Sequence, residues 1–113
     1  MLEGLYLAGP LSLNFRKKQA DTVMGVRLPL DAYEFDTLYL LATREGEFFT
    51  LDAICEVVYN KKNDCSNKLL VKAGLAQLLD KVRDHGEGFM WIDHSPARGY
   101  TFQTRWGQKW RVA

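Results

Sequence analysis

Three stretches of this chain place apolar residues at helical spacing, and its two ends place them in short runs broken by turn residues. The longest helical pattern covers Ser66–Asp84, where Val71, Leu75, Leu78 and Val82 recur at intervals of four, three and four and line one stripe. Ser66 (or Asp64) supplies a side-chain acceptor for the orphan N–H groups at the start, and Gly86, which can turn left-handed, marks the end. The opposite face carries Lys72, Ala73, Ala76 and Asp80, flanked by Lys68, Gln77 and Lys81. A helix with a buried stripe and a cationic, small-residue outer face suits either a DNA groove or a partner protein.

Leu30–Arg44 predicts a second helix. Asp31 with Glu34 three residues on is a capping box, Leu30 can staple onto Phe35, and Phe35, Leu38, Leu41 and Ala42 form the stripe. The acids at its start complement the helix dipole, and Gly46 ends it. Thr50 caps a third helix, stapled by Phe49 and Ile54, in which Leu51, Ile54, Val57 and Val58 lead to Tyr59. The polar loop 60–65 then joins it to the long helix, a helix-turn-helix order. On the N-terminal side, Leu5–Leu7, Leu11–Phe15 and Thr22–Leu28 predict three short strands, with Gly9-Pro10 a turn and residues 16–21 a polar connection. On the C-terminal side, Phe89–Ile92 and Tyr100–Thr104 predict a hairpin around the turn-rich 93–99. The fold class is therefore α+β: a short antiparallel sheet (1–29), three helices (30–86), a hairpin (87–104) and a basic–aromatic tail (105–113), expected to form one domain over 1–113.

At 113 residues the chain can bury roughly two-thirds of its unfolded surface without staples. No apolar run reaches the ~18 residues of a membrane span, and the apolar N-terminus carries Glu3 and lacks a basic leader region, so a cytoplasmic protein without membrane contact is expected. In that reducing setting Cys55 and Cys65 are expected as free thiols. Cys65, His85 and His94 lack the tight-pair spacing of a metal site, so neither metal nor cofactor is expected. No serine, cysteine or histidine is spaced to pair a nucleophile with its base, which argues against an enzyme. The net charge of +1 hides a division: residues 27–58 hold seven acids and two bases, and residues 59–113 hold ten bases and five acids. Such a dipolar chain steers an anionic partner to its C-terminal half. From Arg98 onward four bases and no acid are interleaved with Tyr100, Phe102, Trp106 and Trp110, a mixture suited to nucleic-acid backbones and also to an ordinary edge strand with a packed tryptophan.

Nearly the whole chain resembles the winged-helix effector domain of OmpR/PhoB-type response regulators. Leu28-Pro29-Leu30-Asp31-Ala32-Tyr33-Glu34-Phe35 is similar to the family's "LTPxEF" opening of its first helix. Phe48-Phe49-Thr50 with Leu51–Tyr59 is similar to "VVSRxxLxxxVW", Tyr59 replacing the final Trp. Val71, Ala73, Leu75, Leu78 and Val82 fall on apolar positions of the recognition-helix motif "TVDVHIxxLRxKL", and Ala97–Phe102 is similar to the "RGxGYxF" wing. The resemblance implies a standalone DNA-binding transcriptional regulator without a receiver, acting as a homodimer on double-stranded DNA. The long helix 66–84 would enter the major groove, and the hairpin 89–104 would serve as a wing. The DNA-binding residues it implies are Lys68, Lys72, Gln77, Lys81, Arg98 and Tyr100. The sequence departs from the family in having no arginine on the outer helix face before Arg83, and in placing Gly74 where the family often has His. Leu69, Ala73 and Ala76 make part of that face apolar, so a winged-helix module that binds a protein partner instead of DNA is the alternative.

Overall fold

A computed structural model describes residues 5–22, 24–59 and 68–105. Three short strands come first: β1 (Leu5–Ala8), β2 (Leu11–Asn14) and β3 (Gln19–Thr22), paired antiparallel in chain order. Tyr6 faces Leu13, and Ala8 faces Leu11, while Leu13 and Leu11 face Ala20 and Thr22 across the next ladder. Directly opposed residues share a face, so the buried Ala8, Leu11, Leu13, Ala20 and Thr22 make one inner surface.

The third strand lies upstream of the predicted one. Residues 19–21, expected as a polar connection, are β3, and residues 24–28 form a turn in which Thr22 N–H donates to Val26 O and Gly25 N–H to Thr22 O. The tight turn after β2 ends at Lys18, whose φ of 55° reverses the chain early. β3 then needs only alanine and threonine on its inner face, a signal too weak for an apolar count.

Helix α1 (Ala32–Thr43) begins as expected. Asp31 accepts from Glu34 N–H at 2.7 Å, and Glu34 Oε1 accepts from Asp31 N–H at 3.0 Å, which completes the capping box. Phe35, Leu38, Leu41 and Ala42 are fully buried; each large apolar side chain so placed contributes about 1.5–3 kcal/mol. Thr50 caps α2 (Leu51–Ile54), accepting from Ala53 N–H at 3.1 Å. The expected regular helix then widens into a π turn over Cys55–Tyr59, and Val57 points outward, 58% exposed. Cys55 is disulfide-bonded, against the free thiol expected from compartment alone; Cys65 lies outside the described residues.

Helix α3 (Lys68–Gly86) buries Val71, Leu75, Leu78 and Val82, the predicted stripe, while the proposed caps Asp64 and Ser66 lie outside the described residues. Gly86 has a different role from the expected left-handed stop. It is the last helical residue and is buried; a Cβ there would sit 2.5 Å from Met90 Cγ, and the left-handed residues are Glu87 and Gly88. Strands β4 (Met90–Ser95) and β5 (Gly99–Thr104) form the hairpin, with Met90 opposite Thr104 and Ser95 opposite Gly99. β5 is the interior strand. On its other edge Gly46 N–H donates to Phe102 O, and Phe49 and Tyr100 exchange both backbone hydrogen bonds at 2.8 Å. Among the described residues no helix is long and apolar enough to cross a membrane.

Candidate nucleic-acid interface

Burial of its stripe leaves α3 with an outer face of Lys68, Leu69, Lys72, Ala73, Ala76, Gln77 and Asp80, all exposed. Lys72 has no ion-pair partner among the described residues, so its charge is fully available. Lys68 Nζ lies 2.8 Å from Asp52 Oδ1 on α2, an exposed pair worth at most about 1 kcal/mol. Toward the other end Arg83 is held by Asp80 at 2.8 Å and approaches Asp84 at 3.7 Å. Positive charge is therefore concentrated in the first two turns of α3 and balanced in the last two.

Lys81 belongs to the interior side of the helix. Its ammonium donates to Glu34 Oε1 at 2.8 Å and to Pro29 O at 2.7 Å, and the Glu34 side chain is only 7% exposed. One carboxylate thus caps α1 and fastens α3 to it. The structure assigns Lys81 to this clamp rather than to the DNA-contacting flank that the sequence expectation gave it, because it lies beside the buried Leu78 and Val82 at the border of the α3 stripe, within reach of α1.

The hairpin is placed by its backbone. Gly99, at φ +106°, packs so tightly that a Cβ would lie 2.1 Å from Phe49 O. This brings β5 against residues 46–50, directly ahead of α2. Arg98 then lies over the Phe48 ring at 4.1 Å from its centroid, a cation–π contact that leaves the guanidinium at the surface. Tyr100 is 5% exposed and stacks on His94 across the hairpin at 4.2 Å. Burial pushes its phenol above the ordinary value of 10.0. Tyr100 therefore supports the hairpin from within and, unlike Arg98, is not displayed. Its buried position follows from β5 having neighbours on both edges, which an alternating hairpin pattern does not reveal.

Two contacts thus converge on residues 48–52: Asp52 takes Lys68 from the start of α3, and Phe48 takes Arg98 from the hairpin. The long helix and the hairpin tip are brought to one end of the molecule. Asp52, Phe48 and Phe49 are the positioning residues; sequence reasoning used Phe49 only as a helix staple and gave Asp52 no role.

The fold recurs in solved structures. The DNA-binding domain of CpxR from E. coli superposes with a TM-score of 0.70 at 25% identity, covering 88% of this chain and 96% of that one. The DNA-binding domain of E. coli CadC gives 0.73 at 20% identity over 92% and 95%. The DNA-binding domain of Klebsiella pneumoniae RstA, in complex with the RstA box, gives 0.70 at 23% identity over 88% and 96%. This is the winged-helix fold of OmpR/PhoB-type response-regulator domains. In the winged helix α3 occupies the recognition position and the β4–β5 hairpin is the wing. No family model and no curated protein sequence matches the chain. Among the described residues no group of histidines, cysteines and carboxylates is arranged to hold a metal ion.

Proposed function

We propose that this chain, acting as one winged-helix domain over 1–113, binds double-stranded DNA and regulates transcription, with α3 in a major groove and the wing at the neighbouring backbone. The observation that carries the reading is the convergence of the loosely paired Lys68 and the surface guanidinium of Arg98 on residues 48–52, with the exposed Lys72 four residues further along the same α3. These three cations are suited to phosphates, which position a protein without reading sequence. Gln77 has the geometry to accept and donate to adenine, and the Ala73 and Ala76 methyls suit contact with thymine methyl groups. With no outward arginine before Arg83, which Asp80 holds at 2.8 Å, the first turns of the helix favour A·T over G·C base pairs. Action as a homodimer in the cytoplasm completes the reading.

Anisotropy of a labelled duplex tests it. Roughly three phosphate contacts predict a log–log salt slope near −3, and Lys72→Ala should lower its magnitude by about 1. Absence of binding at ~50 mM salt, where non-specific contact is strongest, would overturn it. A second reading, a protein-interaction module, is favoured by Leu69 and Leu70, which are 78% and 67% exposed at the start of α3. Salt-dependent binding of the chain to the duplex argues against that alternative, which requires that DNA not be bound.

A further inference from the structure

A cavity of ≈ 360 Å³ lies between the turn that joins β2 to β3, the outer side of α1 and the π turn that follows α2. One wall is aromatic: the Phe15 and Tyr39 ring centroids stand 4.9 Å apart, the rings inclined at 47°. A second wall is aliphatic, made by Val57 and Val58, and α1 adds Leu40. The π turn accounts for the second wall. Its wider winding rotates Val57 to the surface, 58% exposed, where it lines the cavity instead of the core. Single π turns of this kind recur at functional sites. Phe15 is 44% exposed on the same cavity, so apolar surface from three separate elements meets at one open concavity.

The charges that line the cavity do not cancel. Lys18 and Asp36 pair with one another, and the Lys18 ammonium is also held over the Phe15 ring, 4.5 Å from its centroid. Arg44 is exposed, and among the described residues its guanidinium has no hydrogen-bond or ion-pair partner. The carbonyl end of α1, whose partial negative charge opposes an anion, is largely answered within the chain. Thr43 Oγ1 donates to Tyr39 O at 2.8 Å and to Leu40 O at 3.2 Å, and Arg44 N–H donates to Leu41 O at 3.2 Å. Neither Glu45, whose carboxylate accepts from Thr104 N–H and Oγ1, nor Glu56 lines the cavity. One uncompensated cation therefore stands at the rim of an apolar slot.

We propose that this cavity binds a small planar aromatic carboxylate, its ring between Tyr39 and Val57 and its carboxylate on Arg44. The volume is at the lower end of the ~300–1,000 Å³ range of ligand-sized cavities, which suits one or two fused rings. A guest ring beside Phe15 and Tyr39 can take the tilted or offset arrangements that aromatic groups favour. The guanidinium fork of arginine matches a carboxylate with two parallel hydrogen bonds. An aliphatic acid would forgo the ring contacts, and an aromatic amine would meet the like charge of Arg44. The inference stands independently of DNA binding.

The test is a methyl NMR titration of the full chain with 2-naphthoate. The Leu40, Val57 and Val58 methyl signals are expected to shift together and to saturate, with a Kd of about 1 mM or tighter. The neutral isostere 2-naphthamide should bind at least about tenfold more weakly, and Arg44→Gln should weaken naphthoate by a similar factor. Val57→Glu, at an exposed position, should abolish binding by placing a like charge on the second wall. No shift at about 10 mM naphthoate would overturn the proposal, as would shifts centred on α3 instead of these three residues. Equal affinity for the amide also overturns it, because the apolar walls alone would then be binding. A preference for 2-naphthylmethylammonium over naphthoate would give the cavity to cations and refute the role of Arg44.

Discussion

Replacing Gly99 by alanine should uncouple the wing from the helix-turn-helix. The added Cβ would meet Phe49 O at 2.1 Å, Phe49 C at 2.6 Å and Thr50 Cα at 2.8 Å, all backbone atoms of the segment that caps α2. No rotamer change relieves such a clash, and φ of +106° is itself a region that L-residues avoid. Backbone strain of about 1–3 kcal/mol and loss of the two Phe49–Tyr100 hydrogen bonds, about 0.5–1.5 kcal/mol each, give a total near 4 kcal/mol. That is a large fraction of the roughly 5–15 kcal/mol that stabilises an ordinary domain. Gly88→Ala is the matched control, because Gly88 also has positive φ, +86°, with nothing within 4 Å of its Cβ position. It should cost only the conformational share, about 1–2 kcal/mol. Urea unfolding of the two variants measures the difference, and amide exchange at Phe49 and Tyr100 locates it. Equal destabilisation by both substitutions, with exchange at Phe49 and Tyr100 still slow, would refute the claim that close backbone approach holds the wing.

Three further perturbations probe other joints. Lys81→Met leaves the buried Glu34 carboxylate without its cation and should cost about 2 kcal/mol in urea unfolding, less than the 3–5 kcal/mol of a fully buried pair because Lys81 keeps some water; a cost below about 0.5 kcal/mol would show the clamp to be incidental. Thr101→Val removes a buried hydroxyl that has no hydrogen-bond partner among the described residues and keeps its shape, so stability should rise by about 1 kcal/mol and the melting temperature by about 4 °C; a lower melting temperature would mean the hydroxyl is satisfied. Burial raises the Tyr100 pKa, so folding disfavours the phenolate. That penalty is absent below the unfolded value of 10.0 and grows as pH rises past it. The alkaline loss of stability should therefore be smaller in Tyr100→Phe, and identical pH curves would count against the burial argument.

Much of this fold was legible because local chemistry and long-range packing agree. Asp31 and Glu34 announce α1 from four residues, and the Val71–Val82 stripe announces α3, since both patterns express contacts made within a turn or two. The failures occur where a neighbour outside the element decides. β3 is recognisable only once β2 supplies the partners for Ala20 and Thr22. Gly86 is small because Met90 packs onto it, not because the helix must stop there. Lys81 and Tyr100 carry the residue types of a DNA-contacting surface, but Glu34 claims the first and a strand flanked on both edges buries the second. The π turn at Cys55–Tyr59 has no compositional mark at all, and the bonded state of Cys55 depends on chemistry that a compartment argument misjudged.

The distribution of charge along α3 makes the domain an oriented object before it touches anything. Lys68 and Lys72 sit at the end where the helix dipole is already positive, whereas Asp80 and Asp84 answer Arg83 at the end where it is negative. Side chains and backbone therefore reinforce one electric moment along the helix axis. In the field of a polyanion that moment exerts a torque, turning the first turns of α3 and the adjacent Arg98 toward the approaching surface. Most collisions then begin in a productive attitude. Such selection works at a distance of about one Debye length, ~8 Å in physiological salt. Added salt should consequently slow arrival more than it hastens departure, and the few cations on this face are spent largely on choosing the direction of approach.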